Sequence, residues 1–311
     1  MMVPFRNILV PLDGSELAEK SLLPAGQIAT AMSRRDDGDR PTRLILLRVV
    51  SPVAILAADP YLYDEMMRMN SDEAQAYLNA TAATLSTVAA TIETKAVIGS
   101  PAEAIVQFAE GNNVDLIVMS SHGRTGSRRW VYGSVAEKVM HHAPCATAII
   151  RAHVEVAVFQ NRKILVPLDG SELAERALVP ALALASAVDS DVWLLRVVTS
   201  WGPVPTSLTP DGIQLQRVLD DEREREHDEA EAYLQRVVSL HDNQRLFFDV
   251  RDAGSDVADE IITYAETQGV DLIVMSSHGR SGLGRWLHGS VAEKVLRGAG
   301  CATVIVRGLV K

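Results

Sequence analysis

The sequence predicts two tandem α/β domains, each built around a parallel, doubly wound sheet. The first indication is an internal repeat, because four sequence blocks recur with one common offset. The second is the alternation of short apolar runs with amphipathic stretches in each copy, which is typical of β–α–β units. The repeated blocks are ILVPLDGSELAE (8–19 and 164–175), VDLIVMSSHGR (114–124 and 270–280), GSVAEKV (133–139 and 289–295) and CAT (145–147 and 301–303).

Length and composition agree with this organisation. A chain of 311 residues is long enough for two domains of about 150 residues each. Apolar residues make up 47% of the chain and aromatic residues 5%, so the core must be mainly aliphatic, as in buried parallel strands. We therefore predict a first domain over 1–152, a linker over 153–162 and a second domain over 163–311.

Strands and helices are predicted in alternation along the first copy. The helical stretch 15–32 contains Pro24, which should kink the helix or start a new turn, and Pro180 repeats this feature. The middle of each copy diverges, since 53–95 and 199–246 share little beyond an acidic helical character. The predicted strands are 7–12, 44–50, 92–98, 116–120 and 146–151, and the predicted helices are 15–32, 61–90, 101–110 and 133–143.

Charge and hydropathy exclude several functions. The net charge of −10 makes nucleic acid and anionic membrane surfaces poor partners, because both require a basic footprint. No apolar run approaches the length of a membrane span, and the first residues do not resemble a signal peptide. Cys145 and Cys301 occupy equivalent positions and are expected to be small buried hydrophobes, so a cytoplasmic location fits best.

Two loops are expected to carry the chemistry, because ligands of open α/β sheets bind at the carboxyl ends of the strands. One loop covers 11–15. The other begins at Ser120, turns at Gly123 and ends at Gly133 and Ser134, which open a helix. A helix start presents free N–H groups and the positive end of the dipole, so it favours phosphate. Positive charge beside this loop comes from Arg124, Arg128 and Arg129, and the second copy repeats the layout with Gly279, Arg280, Arg285, Gly289 and Ser290.

The same loops also have purely structural explanations. Glycine at a strand exit and Gly-Ser at a helix start are common capping devices. The stretch 13–16 is compatible with an N-cap at Asp13 and with Glu16 at the N3 position. The functional alternative for Asp13 is a carboxylate that faces the base or ribose of a nucleotide, and one Asp can serve both purposes.

Together these motifs resemble the universal stress protein family. The resemblance rests on V-P-L-D-G-S after the first strand, L-L-R-V-V in the second, and S-x2-G-x9-G-S before a helix, and it covers essentially the whole chain twice. It implies Rossmann-like (adenine nucleotide alpha hydrolase-like) domains, each with a five-stranded parallel sheet of order 3-2-1-4-5 and helices on both faces. ATP-binding members carry G-x2-G-x9-G-[S/T], whereas this chain has Ser120 and Ser276 in place of the first glycine.

The resemblance also implies roles for individual residues. Asp13 and the Val49 backbone would contact adenine, Ser120 would lie by the ribose, and Mg²⁺ would accompany the ATP phosphates without a direct protein ligand. Arg48 and Arg196 stand where the family usually has His. The nucleotide-binding residues implied in the first copy are Pro11, Leu12, Asp13, Val49, Met119, Ser120, Gly123, Arg124, Gly133, Ser134 and Val135. Those implied in the second are Pro167, Leu168, Asp169, Val197, Met275, Ser276, Gly279, Arg280, Gly289, Ser290 and Val291.

Several enzyme classes are disfavoured by the motifs. Adjacent residues such as Ser121 and His122 point to opposite sides of a strand end, and no third group completes a hydrolase triad. The set His141, His142 and Cys145 has the spacing of metal ligands but is not kept in the second copy. Neither G-x4-G-K-[ST] nor a dinucleotide G-x-G-x2-G after a strand occurs.

Three function classes therefore remain. The first, which we favour, is a nucleotide-dependent regulatory module with one ATP site per domain. The second is an enzyme that slowly hydrolyses ATP or transfers its phosphate, and the third is a scaffold that keeps the fold but binds no nucleotide. We favour the first because the phosphate loop contains no lysine.

The last strand of each copy is expected to be paired. The apolar segments 146–151 and 302–307 would otherwise leave unpaired backbone groups at a sheet edge, which proteins normally cover. Antiparallel pairing of one copy's last strand with the other's would cover both edges. A linker of about ten residues spans roughly 30 Å when extended, so pairing within one chain is possible, and pairing between chains would give a homodimer, which we also expect.

Overall fold

A computed structural model shows two compact units. The structure describes residues 5–34, 41–52, 60–121, 133–151, 159–199, 210–241, 245–254, 256–277 and 290–307. The first unit comprises Met1–Gln160 and Ala302–Lys311, and the second comprises Asn161–Cys301. The units thus depart from the sequence repeat at one element, since the last strand of the second repeat belongs to the first unit.

The strands and helices alternate in both repeats, as the sequence predicts. The first repeat contains β1 (Asn7–Pro11), α1 (Glu16–Glu19), α2 (Leu22–Ser33), β2 (Arg43–Val50), α3 (Pro60–Thr84), β3 (Thr91–Ile98), α4 (Pro101–Gly111), β4 (Leu116–Ser121), α5 (Ser134–His142) and β5 (Ala146–Arg151). The second contains β6 (Lys163–Pro167), α6 (Glu172–Glu175), α7 (Leu178–Val188), β7 (Asp191–Thr199), α8 (Pro210–Ser239), β8 (Leu246–Ala253), α9 (Val257–Thr267), β9 (Leu272–Ser276), α10 (Ser290–Gly298) and β10 (Ala302–Val306).

Two predicted helices differ from their expected bounds. The stretch 15–32 forms two helices rather than one, and Pro24 lies in the first turn of α2, where proline is tolerated because the backbone N–H has no partner within the helix. The long helix α3 ends at Thr84, short of residue 90. Among the described residues, no helix combines the length and apolarity needed to cross a membrane.

The sheet of the first unit has the predicted strand order. Its strands lie in the order β3-β2-β1-β4-β5, followed by β10, and the first five run parallel. In the second unit the order is β9-β6-β7-β8, which repeats the arrangement of the first four strands. In both units the first strand of the repeat lies between the second and the fourth. The strands are therefore added first toward one edge of the sheet and then toward the other, and the switch between the two directions lies at this strand.

The expected antiparallel pairing of the two last strands is present within the first unit. Strand β10 pairs with β5, with Val304 opposite Ala148 and Thr303 opposite Ile149. All the residues of β5 are buried, and Val304 is 0% exposed. The pairing therefore covers the edge that β5 would otherwise leave open.

An aspartate ties the amino ends of two neighbouring strands in each repeat. The Asp115 carboxylate, just before β4, accepts hydrogen bonds of 2.9 Å from the backbone N–H groups of Arg6 and Asn7 at the start of β1. Asp271 accepts equivalent bonds from Asn161 and Lys163. Burial raises the pKa of the Asp115 carboxyl, and the backbone donors oppose this rise by favouring the charged form. These bonds align the strands whose opposite ends form the site.

The cysteines are less buried than expected. Both Cys145 and Cys301 are partly exposed and neither forms a disulfide. Burial is still sufficient to raise the pKa of the Cys145 thiol to about 12, so this side chain stays protonated at neutral pH.

Candidate nucleotide site

A cavity of about 310 Å³ lies at the carboxyl ends of β1, β2 and β4 in the first unit. All the described residues that the sequence assigned to the first site line this cavity. They come from three strand ends and one helix start, and they are Pro11, Leu12, Asp13, Val49, Met119, Ser120, Gly133, Ser134 and Val135. Residues that are far apart in the chain thus meet at the carboxyl ends of the strands, where the sequence predicted them to lie.

The turn after β1 is held by its own side chains. The Asp13 carboxylate accepts hydrogen bonds from the Ser15 backbone N–H at 2.9 Å and from the Ser15 hydroxyl at 2.6 Å. Ser15 is the N-cap of α1, because its hydroxyl oxygen accepts a bond from the Ala18 N–H. The alternative with Asp13 as N-cap and Glu16 at N3 is therefore wrong. Asp13 instead fixes the turn and presents an exposed side chain at the cavity.

The other end of the cavity is the start of α5. Gly133 is the N-cap, with φ −57° and ψ 140°, and within the part of the chain that the structure describes no side-chain cap bond is formed at this helix end. The first N–H groups of a helix lack partners within the helix, so those that follow Gly133 are available to an anion. The exposed Ser134 can add a hydroxyl donor at the same place.

Apolar side chains form much of the wall between these two ends. Sequence reasoning missed several of them because it considered only two loops. The loop after β3 reaches the same edge of the sheet and supplies Pro101 and Ile105 from α4. Its position after a strand was the signal that could have identified it. The other lining residues not assigned from the sequence are Ser15, Leu17, Ala18, Leu47 and Ala136.

Part of the predicted phosphate loop lies outside the described residues. This applies in the first repeat to Gly123, Arg124, Arg128 and Arg129, and in the second to Gly279, Arg280, Arg285 and Gly289. Their roles stay predictions from the sequence.

The second repeat places its predicted residues at equivalent strand ends. Pro167 ends β6, Leu168 and Asp169 follow it, Val197 lies near the end of β7, and Met275 and Ser276 end β9. Asp169 holds the turn as Asp13 does, with bonds of 2.9 Å and 2.6 Å from Ser171.

Ser290 and Val291 line a second cavity, of about 280 Å³. It lies beside the ends of β7 and β8 and is more polar than the first, because it also contains Asp256 and Lys294. These two side chains form a salt bridge. The hydrogen bond from Lys294 lowers the pKa of the Asp256 carboxyl.

The acidic member of this salt bridge, Asp256, has a neutral counterpart in the first repeat. Asp256 is the N-cap of α9, and Ser100 is the N-cap of α4. Lys138 occupies in α5 the position that Lys294 occupies in α10. The two repeats therefore differ in charge beside the helix that would bind phosphate, not in the helix lysine itself.

Among the described residues, no three or more His, Cys, Asp and Glu side chains are grouped as a metal site.

The fold and the cavity define a class of protein, namely a tandem doubly wound α/β protein with a cavity at its strand carboxyl ends. The model of the universal stress protein family matches residues 4–151 and again residues 160–307. The chain belongs to this family, and it contains two of its domains.

Relatives agree with this assignment. Universal stress protein MJ0531 of Methanocaldococcus jannaschii is 31% identical over 147 residues, covering 47% of this chain and 82% of that protein. Universal stress protein Rv2005c of Mycobacterium tuberculosis is 28% identical over 221 residues, covering 70% of this chain and 69% of that protein. The crystal structure of a universal stress protein from Archaeoglobus fulgidus shares the fold, with a TM-score of 0.67 and 19% identity over 97% of this chain and 98% of that one.

Proposed function

We propose that this protein is a cytoplasmic, ATP-binding regulatory module with one nucleotide site in each repeat. The observation that carries the proposal is the first cavity, because residues assigned to nucleotide binding from separate parts of the sequence line it together. Homodimerisation is part of the same proposal, and size measurement in solution with and without ATP would test it.

The apolar part of the cavity suits an adenine base. Leu12 and Ile105 are almost fully buried, and Val49 and Met119 line the same space. Ligand sites of this kind combine apolar walls with a few polar groups that fix orientation. Asp13 is such a group, because its carboxylate can accept a hydrogen bond from an amine.

The helix start suits the phosphates. The backbone N–H groups after Gly133 and the dipole of α5 would favour a negative charge at this end of the cavity. Mg²⁺ would accompany the phosphates and reduce their charge.

Binding is favoured over catalysis by the sequence of the phosphate loop. It has no lysine in either repeat. The alternative, a slow ATP-hydrolysing or phosphate-transferring enzyme, predicts steady phosphate release over hours from ATP and Mg²⁺ with purified protein. The scaffold alternative predicts that the protein neither copurifies with adenine nucleotide nor binds it when added.

Calorimetric titration with ATP and Mg²⁺ should give a stoichiometry near two, because both repeats carry the same pair of loops. Bound nucleotide stabilises the folded state, so the melting temperature should rise with ATP concentration. If millimolar ATP produced no detectable heat of binding and no shift in melting temperature, the proposed function would be ruled out.

The two sites should differ in affinity. In the second repeat, Asp256 competes with a phosphate group for Lys294, whereas Ser100 in the first repeat carries no charge. Asp256→Ser should therefore strengthen ATP binding at the second site roughly fivefold to tenfold by removing a like charge. Serine also caps helices well, so α9 should keep its start. Calorimetry that resolves the two sites would measure the change.

The reciprocal exchange is the matched control. Ser100→Asp gives α4 the N-cap carboxylate that α9 has in Asp256, and by analogy with the Asp256–Lys294 pair it should weaken ATP binding at the first site. Unchanged affinities in both variants would show that this pair does not influence the ligand.

A further inference from the structure

A cluster of three side chains lies behind the turn that carries Asp13. The Arg48 guanidinium lies over the ring of Tyr77, with Cζ 4.9 Å from the ring centroid. The Tyr77 hydroxyl donates a 2.7 Å hydrogen bond to the Glu19 carboxylate. Burial, followed by this hydrogen bond, raises the pKa of Tyr77 to about 12, so the hydroxyl stays a donor at neutral pH.

Arg48 also contacts the turn itself. A Cβ atom on Gly14 would lie 3.4 Å from Arg48 Nη2, so the guanidinium packs directly against this residue. Gly14 has φ +86°, a conformation that glycine adopts readily and other residues rarely adopt. The turn is therefore enclosed between its own Asp13–Ser15 bonds and the Arg48 guanidinium.

The second repeat has a matching tyrosine–glutamate bond and a contact of its arginine with the turn. The Tyr233 hydroxyl donates a 2.9 Å bond to Glu175, and Arg196 Nη1 donates to the Leu168 carbonyl, next to Asp169, at 3.3 Å. Burial and the Glu175 bond raise the pKa of Tyr233, while Arg196 lowers it and Asp169 raises it by their charges.

The arginine has the same position in both repeats, immediately before Val49 in β2 and before Val197 in β7. In both repeats its guanidinium contacts the turn after the first strand, against Gly14 in one and at the Leu168 carbonyl in the other. Arg48 does not line the first cavity, but its neighbour Val49 does. Any effect of Arg48 on a ligand must therefore pass through the turn or the strand end.

We infer that Arg48 and Arg196 are positioning residues that set the carboxylates of Asp13 and Asp169 against the base of the bound nucleotide. This inference rests on the proposed function and deepens it, because it assigns the choice of base to the turn. A correctly placed carboxylate accepts a hydrogen bond from the exocyclic amine of adenine, whereas guanine presents a carbonyl oxygen at that position. Arg48 packs against Gly14 while it lies over the Tyr77 ring, and Arg196 donates to the Leu168 carbonyl. A lysine would not reproduce these contacts of a planar guanidinium.

The test uses the full chain with both repeats changed, so that the two sites stay comparable. In the double variant Arg48→Gln and Arg196→Gln, affinity for ATP and for adenosine should fall by the same factor, about tenfold, as expected for a lost hydrogen bond to a charged group. The preference for ATP over GTP should fall with it. Calorimetry or competition with a fluorescent adenine nucleotide measures both quantities.

Further variants separate positioning from folding. Tyr77→Phe with Tyr233→Phe removes only the hydroxyls and should reduce the ATP-over-GTP preference in the same direction, even if the arginine variants fold poorly. Replacement of both arginines by lysine should restore little of the preference. Arg43→Gln is the matched control, because Arg43 lies at the other end of β2, where it contacts Asn7 and Glu93.

The outcomes are distinct. Wild-type protein that binds no ATP overturns the proposed function itself. If the wild-type protein binds ATP but the arginine and tyrosine variants keep the full ATP-over-GTP preference, only the positioning role is overturned. Equal weakening of ATP and GTP also overturns it, because that pattern indicates general loss of structure.

Discussion

Replacement of Gly133 by valine is expected to abolish phosphate binding at the first site. The residue is the N-cap of α5 and lines the cavity, so a branched side chain would occupy the space through which an anion approaches the helix start. Each charge-assisted hydrogen bond lost costs about 1.5–3 kcal/mol, so affinity for ATP should fall roughly 100-fold or more if two are lost. Calorimetry with ATP, ADP and adenosine would measure the loss.

The comparison between ligands identifies the cause. Adenosine should still bind the first site of Gly133→Val, because the base end of the cavity is unchanged, and ATP should lose its advantage over adenosine. The backbone angles of Gly133 are accessible to any residue, so the helix start should form normally. The unaltered second repeat is an internal control. ATP binding with wild-type affinity at both sites would show that the phosphates lie elsewhere.

A charge in the last strand is expected to destabilise the first unit strongly. Val304 is fully buried in β10 and lies opposite Ala148 of β5. Val304→Asp would bury a carboxylate without a partner, which costs about 3–5 kcal/mol of unfolding free energy. Chemical denaturation followed by circular dichroism would measure this loss. Amide hydrogen exchange should show faster exchange in 146–151.

The same substitution on the surface is the control. Val179 lies in α7 and is 64% exposed, so Val179→Asp should change the unfolding free energy by less than about 0.5 kcal/mol. If Val304→Asp were as mild as Val179→Asp, and the amides of 146–151 remained protected, β10 would not be the partner that covers this edge.

The sequence predicts the fold and the first site because both depend on local and repeated patterns. Short apolar runs and helix starts such as Gly133 are visible in a few residues, and the rule for strand carboxyl ends then brings them together. Residues of the third loop, such as Pro101, obey the same rule and were missed only for lack of a recognisable motif.

Contacts between side chains that are distant in the sequence cannot be predicted from any motif or periodicity in it. The Arg48–Tyr77 contact depends on how α3 lies across β2, and the Asp256–Lys294 pair depends on the spacing of two helices. Similarly, Asp13 and Ser15 are equally acceptable as N-caps by residue type, and only the geometry of the turn decides for Ser15.

The position of β10 has a consequence for the order of folding during synthesis. The ribosome completes β5 before the second unit, yet the antiparallel partner of β5 follows that unit in the chain, with Thr303 opposite Ile149. The nascent first unit must therefore expose the β5 edge while the whole second unit is being synthesised. Proteins usually fold from the N-terminus as they emerge, but here the first unit is completed only after the second has been synthesised. A stalled or prematurely terminated chain would present an open strand edge, and a chaperone that binds exposed strands would recognise it.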